Sequence, residues 1–129
     1  MRPERAGRNM YFFDTYALYQ IAKGAESYTQ FVKHTRLVTT LLNLYELYYI
    51  LCKENQKGLA EKFFERLLPC CTDILPDDVI PAAQFRLKHA KLGFSYIDAL
   101  GYTISLRSGL QFLTGDDAFK NFEQVAFFK

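Results

Sequence analysis

The run Tyr11-Phe12-Phe13-Asp14-Thr15 constrains this chain most, because an unbroken apolar stretch ends in a carboxylate and gives way at once to helix-forming sequence. Such a run, with no polar alternation, suits a parallel strand covered on both faces. Ligands bind at the C-terminal edge of a parallel sheet, and Asp14 is expected at that edge. One carboxylate there is a helix cap; several would make a metal site.

Helix and strand signals alternate beyond Asp14. Ala17, Leu18, Ile21 and Ala22 recur at helical spacing over residues 16–23, Gly24 stops them, and a second short helix is expected over 27–33. Arg36-Leu37-Val38-Thr39 reads as a second strand, with Thr39 or Thr40 as N-cap of a long helix over 41–54. The next helix, 58–68, has Leu59, Phe63, Phe64 and Leu67 on one face and stops at Pro69, after which 70–75 reads as a third strand. Pro76-Asp77-Asp78 sets acid at the positive end of another helix, which Val79, Ala82, Ala83, Leu87 and Ala90 carry to Gly93. A helix over 95–107, a fourth strand at Leu110-Gln111-Phe112-Leu113-Thr114 and a short fifth near 125–128 complete the order. This alternation predicts an α/β protein: a mostly parallel sheet of four to five strands with helices on both faces.

A chain of 129 residues fits one domain, expected over 10–129, after a frayed basic tail over 1–9 that contains Arg2, Arg5 and Arg8. The net charge of +2 gives only a mild lean toward polyanions, so any nucleic-acid contact must be local. Cys52, Cys70 and Cys71 are odd in number and lack zinc spacing, which excludes a disulfide framework and points to buried thiols in a reducing compartment. The first residues lack the apolar core of a signal peptide, and no apolar stretch is long enough to span a bilayer. A cytoplasmic protein with no membrane contact is expected.

Four acids stand in apolar surroundings: Asp14, Glu46, Asp98 and Asp116. Asp14 and Asp116 each follow a strand signal, while Glu46 and Asp98 lie early in their helices. Helices begin where parallel strands end, so all four belong near one edge. Each also has a structural reading of its own. Ser95-Tyr96-Ile97-Asp98 is a capping-box sequence, Asp14 and Asp116 are placed to cap the helices that follow them, and Glu46 shares a face with Asn43 and Lys53 that solvent could cover. Taken together, carboxylates crowded at one edge would repel one another unless a hard divalent ion such as Mg²⁺ or Mn²⁺ joined them.

Phe12-Phe13-Asp14-Thr15, Leu44-Tyr45-Glu46-Leu47, Ser95-Tyr96-Ile97-Asp98-Ala99 and Phe112-Leu113-Thr114-Gly115-Asp116, in this order and spacing, resemble the PIN-domain ribonucleases, particularly the small VapC-type toxins. The resemblance implies a three-layer α/β/α Rossmann-like fold. It further implies a metal-dependent endoribonuclease, the toxin of a toxin–antitoxin pair. Asp14, Glu46, Asp98 and Asp116 would be both catalytic residues and ligands of Mg²⁺ or Mn²⁺, with Thr15, Ser95, Thr114 and Asp117 as polar neighbours. Where the family often has Asn two residues after the first acid, this chain has Tyr16. Where it often has a further acid two residues after the fourth, this chain has Ala118, with Asp117 displaced by one position. A homodimer and an antitoxin partner are also implied.

Metal-assisted hydrolysis needs no protein nucleophile, so neither His34 nor His89 is expected as a base. Candidate RNA contacts are Arg86, Lys88 and Lys91 near His89, then Lys33 and Arg36 near His34, and Lys53 with Lys57. The aromatic stripe Tyr45, Tyr48, Tyr49 suits core, interface or base stacking. Two other classes stay open: a catalytically silent PIN-like module that binds RNA or protein, and a phosphohydrolase using Asp14 as phosphate acceptor, although Asp14-Thr15-Tyr16 lacks the second Asp of haloacid-dehalogenase-type enzymes.

Overall fold

A computed structural model describes residues 10–129 and shows one wholly parallel sheet of four strands in the order β2-β1-β3-β4. The strands are β1, Met10–Phe13; β2, Arg36–Val38; β3, Gln111–Thr114; and β4, Val125–Phe127. Tyr11 pairs with Leu37 on one side and with Gln111 on the other, so β1 is central. That position explains its missing polar alternation. Phe12 faces one side of the sheet and Phe13 the other, and both are fully buried.

Six α-helices cover the two faces: α1, Thr15–Ala22; α2, Thr29–His34; α3, Leu41–Lys53; α4, Lys57–Leu67; α5, Pro76–Lys88; and α6, Tyr96–Ser108. Phe13 and Leu113 pack under α1 to α4, against Leu18, Phe31, Leu44, Leu47, Leu51 and Phe63. Phe12 and Phe112 stack with centroids 5.7 Å apart on the opposite face, beneath Tyr102 of α6 and beside Phe119. The result is the expected three-layer α/β/α arrangement.

Two local expectations need correction. Residues 70–75 form no strand: a 3₁₀ turn, Leu68–Cys70, continues α4, and only one parallel bridge joins Cys71 to Thr39. That bridge consists of Thr39 N–H to the Cys70 carbonyl at 3.1 Å and Thr72 N–H to the Thr39 carbonyl at 2.8 Å. Pairing ends there because β2 has turned into α3, whose N-cap is Thr40. Helix α5 ends at Lys88 rather than Gly93, with a separate 3₁₀ turn, Ala90–Leu92, after it. Val79 and Leu87 do not face the core and are 54% and 79% exposed. The inward face of α5 carries Asp78, Ala82 and Phe85 instead, and Asp78 pairs with Arg107 of α6 at 2.6 Å. An ion pair thus holds a helix whose apolar stripe points elsewhere.

Candidate active site

Asp14 stands at the C-terminal end of β1 and is 4% exposed. One carboxylate oxygen accepts from the Ala17 N–H at 2.8 Å, capping α1, and the other accepts from the Thr114 hydroxyl at 2.5 Å. The same hydroxyl accepts the Asp116 N–H at 3.0 Å, while Asp116 Oδ1 caps the turn behind it by accepting from Ala118 N–H at 3.0 Å. Fully buried Thr114 therefore links the ends of β1 and β3 and orients two acids at once.

Asp98 arrives from α6. Its N–H donates to Ser95 Oγ at 3.0 Å and its Oδ2 accepts from the Ser95 N–H at 2.9 Å, a complete capping box. Capping and clustering are not rivals here. A carboxylate that satisfies a helix N-terminus with one oxygen is held in one orientation, with lone pairs left to face the opening.

Glu46 is positioned by α3. Buried Asn43 donates to Thr15 Oγ1 at 3.1 Å and accepts from the Thr40 hydroxyl at 2.6 Å, which ties the start of α3 to the end of β1. One turn on, Glu46 and then Ile50 line the same opening. The face shared by Asn43 and Glu46 is therefore not a solvated stripe, and Lys53 alone of that set lies exposed.

These acids line a cleft of about 410 Å³, together with Thr15, Tyr16, Gly115, Asp117 and Lys129. Burial, opposed by the Thr114 and Ala17 hydrogen bonds and reinforced by the charges of Asp98 and Asp116, pushes the Asp14 carboxyl up to about 8. Burial likewise raises Asp98 above its ordinary value, against its Ser95 hydrogen bonds, with Asp116 adding to the rise. The donor set is oxygen only and short of positive charge, which fits a hard divalent cation in kind. The spacing is open: among the described residues no three His, Cys, Asp or Glu side chains converge on one point.

Gly115 leaves room for one wall of the cleft. A Cβ there would lie 2.2 Å from the Tyr16 ring and 2.5 Å from the Phe128 carbonyl oxygen. Tyr16 thus fills space that a larger residue at 115 would close.

The other expected contacts lie elsewhere. Arg86 donates from Nε to the Phe94 carbonyl at 2.8 Å and rests 4.0 Å from the Tyr96 ring centroid, Lys88 lines a hollow between α5 and α6, and Lys91 and Lys53 are exposed on their helices. None of the four lines the acidic cleft. Lys129 does, two residues beyond β4. The basic tail with Arg2, Arg5 and Arg8, and the side chain of His34, fall outside the described residues. The three cysteines are free and half-buried.

A sequence model of the PIN domain matches residues 11–125, nearly the whole described chain. The chain belongs to the PIN-domain family. Solved structures share this fold. Mycobacterium tuberculosis VapC20, a sarcin-ricin-loop-cleaving toxin, superposes with a TM-score of 0.72 at 16% identity, covering 89% of this chain and 98% of that one. A toxin–antitoxin complex from Klebsiella pneumoniae gives 0.72 at 17% identity, covering 90% and 95%. VapBC2 from Rickettsia felis, bound to promoter DNA, gives 0.68 at 18% identity, covering 92% and 97%. No curated protein sequence matches. In this PIN domain the four acids occupy the C-terminal edge, and no helix among the described residues is long and apolar enough to cross a membrane.

Proposed function

We infer that this PIN domain is a divalent-metal-dependent endoribonuclease, the toxin of a toxin–antitoxin pair. The observation that carries this is one cleft edged by Asp14, Glu46, Asp98 and Asp116, in which the most buried acid is kept protonated by burial and by its neighbours' charge. Such a site gains by exchanging protons for a dication. Bound there, Mg²⁺ or Mn²⁺ would acidify water and neutralise charge on a phosphodiester. Asp14 and Asp116, held by Thr114, and Asp98, held by Ser95, are the residues to hold the ion, with Glu46 closing the set from α3. A protein nucleophile is not needed, which agrees with the absence of Ser, Cys or His from the residues lining the cleft.

The partner readings follow from the surface. Tyr45 and Tyr49 of α3 are exposed, as are Val79, Ile80 and Leu87 of α5, which suits a homodimer or an antitoxin segment. Tyr48 instead turns half inward against Phe64, at 6.3 Å, so it serves packing rather than base stacking. The open acid spacing favours one competing reading, a silent module that binds RNA or protein without cutting.

Cleavage of a mixed pool of single-stranded and transfer RNA with Mg²⁺ or Mn²⁺ separates these readings. Wild type should cut, while EDTA, Asp14→Asn or Asp98→Asn should abolish cutting with the circular dichroism spectrum unchanged. A folded wild type that neither cuts nor binds Mn²⁺ would leave the silent module standing.

A further inference from the structure

Five carboxylates and a single ammonium group line the cleft, and the ammonium is that of Lys129. An RNA backbone brought to such a site meets a repulsive field, which a bound dication offsets only in part. We propose that Lys129 seats an RNA backbone phosphate at the mouth of the cleft. This rests on the ribonuclease reading for its substrate and adds a residue which that reading does not contain.

The root of Lys129 is fixed while its head is exposed and held by a single ion pair. Beyond β4, the Phe128 N–H donates to the Thr114 carbonyl at 2.9 Å, so the chain continues beside the end of β3. The Tyr28 hydroxyl donates to the Phe128 carbonyl at 2.6 Å, and Ser27 Oγ donates to the Lys129 backbone oxygen at 3.0 Å. The Phe128 ring meets Phe31 edge-on at 4.9 Å. Partners from two separate parts of the chain, residues 27–31 and Thr114, therefore anchor the backbone from which the side chain starts.

The side chain itself is held loosely. Lys129 Nζ lies 2.8 Å from Asp117 Oδ2, and the two side chains are 61% and 69% exposed. An ion pair in that much water is weak and exchanges partners readily. The ammonium can pass from Asp117 to a phosphate oxygen without any change in burial, and three donors on a flexible stem suit a phosphate as a point charge. Asp117 keeps the arm over the cleft until substrate arrives.

Binding and cleavage are measured separately. A fluorescently labelled single-stranded RNA is titrated with Asp14→Asn protein, alone and combined with Lys129→Gln, Lys129→Arg or Asp117→Asn, at several salt concentrations. Lys129→Gln should weaken binding about fivefold and reduce the slope of log Kd against log salt by about 0.7, as for one lost phosphate contact on a single strand. Lys129→Arg should keep both, and Asp117→Asn, which releases the ammonium, should bind at least as tightly as its parent. In the protein with Asp14 intact, Lys129→Gln should raise KM by a similar factor and leave kcat within about twofold. Unchanged affinity and slope in Lys129→Gln, or an Asp117→Asn loss equal to that of Lys129→Gln, would overturn the assignment. Failure of the parent to bind RNA would overturn it together with the ribonuclease reading. A protein that binds through Lys129 but never cuts would refute the ribonuclease reading alone.

Discussion

At the scale of single residues, Asp14 combines two demands that conflict. It caps α1 and accepts from Thr114, yet burial and two neighbouring acids oppose its charge. Burial pushes its carboxyl up to about 8 in the folded chain against an ordinary 3.8, so folding without metal retains a proton that the unfolded chain has lost. Metal-free stability therefore falls as pH rises from about 4 to about 8. Asn keeps the cap and carries no charge. In EDTA at pH 8 to 9, Asp14→Asn should melt above the wild type by about 4 °C, corresponding to about 1 kcal/mol at this chain length, and the difference should shrink towards pH 5. Gly115 carries a different constraint. Alanine there meets the Tyr16 ring and, more seriously, a backbone oxygen that cannot rotate away. Gly115→Ala should cost about 2 kcal/mol in urea denaturation, as other overpacking does.

At the scale of elements, α5 shows how periodicity can mislead. Its stripe of Val79, Ala83 and Leu87 is regular, but the neighbouring face, with Asp78 and Ala82, is the buried one. The Asp78 carboxylate answers Arg107 with both oxygens and also accepts from the Leu75 N–H, so it joins two helices and closes an N-terminus. Hydrogen bonding from Arg107 holds it below its ordinary 3.8, against the effect of burial. A depressed folded value means the stabilisation is complete above the ordinary value and is lost as pH falls through the folded one. Asp78→Asn should cost about 2 kcal/mol at pH 7, since a well-shielded acid leaves a half-exposed arginine unpaired. In denaturant titrations the gap from wild type should close below about pH 4.

At the scale of the whole molecule, four elements deliver one acid each to a common edge. β1 and β3 supply theirs as strand ends, and α3 and α6 as early helical positions. A dication bound by all four would tie the two faces of the sheet together through its edge. Mn²⁺ at 100 times its Kd should therefore stabilise the wild type by about 2.7 kcal/mol, read as a rise in melting temperature, and stabilise Asp14→Asn far less. A silent domain would show no such rise.

The sequence by itself determined the class of fold, the order of its elements and all four of its strands within a residue or two, because a doubly covered strand must be continuously apolar and a helix must be capped. It also placed the four acids at one edge, since in a parallel sheet strand ends and helix starts coincide. Only the tertiary structure decided the rest. Residues 70–75 have strand composition, but β2 turns away into α3 after one bridge, so no partner remains for them. Val79 and Leu87 look like core, but an ion pair fixes the rotation of α5 and leaves them outside. Lys129 lies 115 positions from Asp14 in the chain. It reaches the same cleft because hydrogen bonds from Ser27, Tyr28 and Phe128 fold that segment beside β3, and such long-range pairings leave no local periodicity to read.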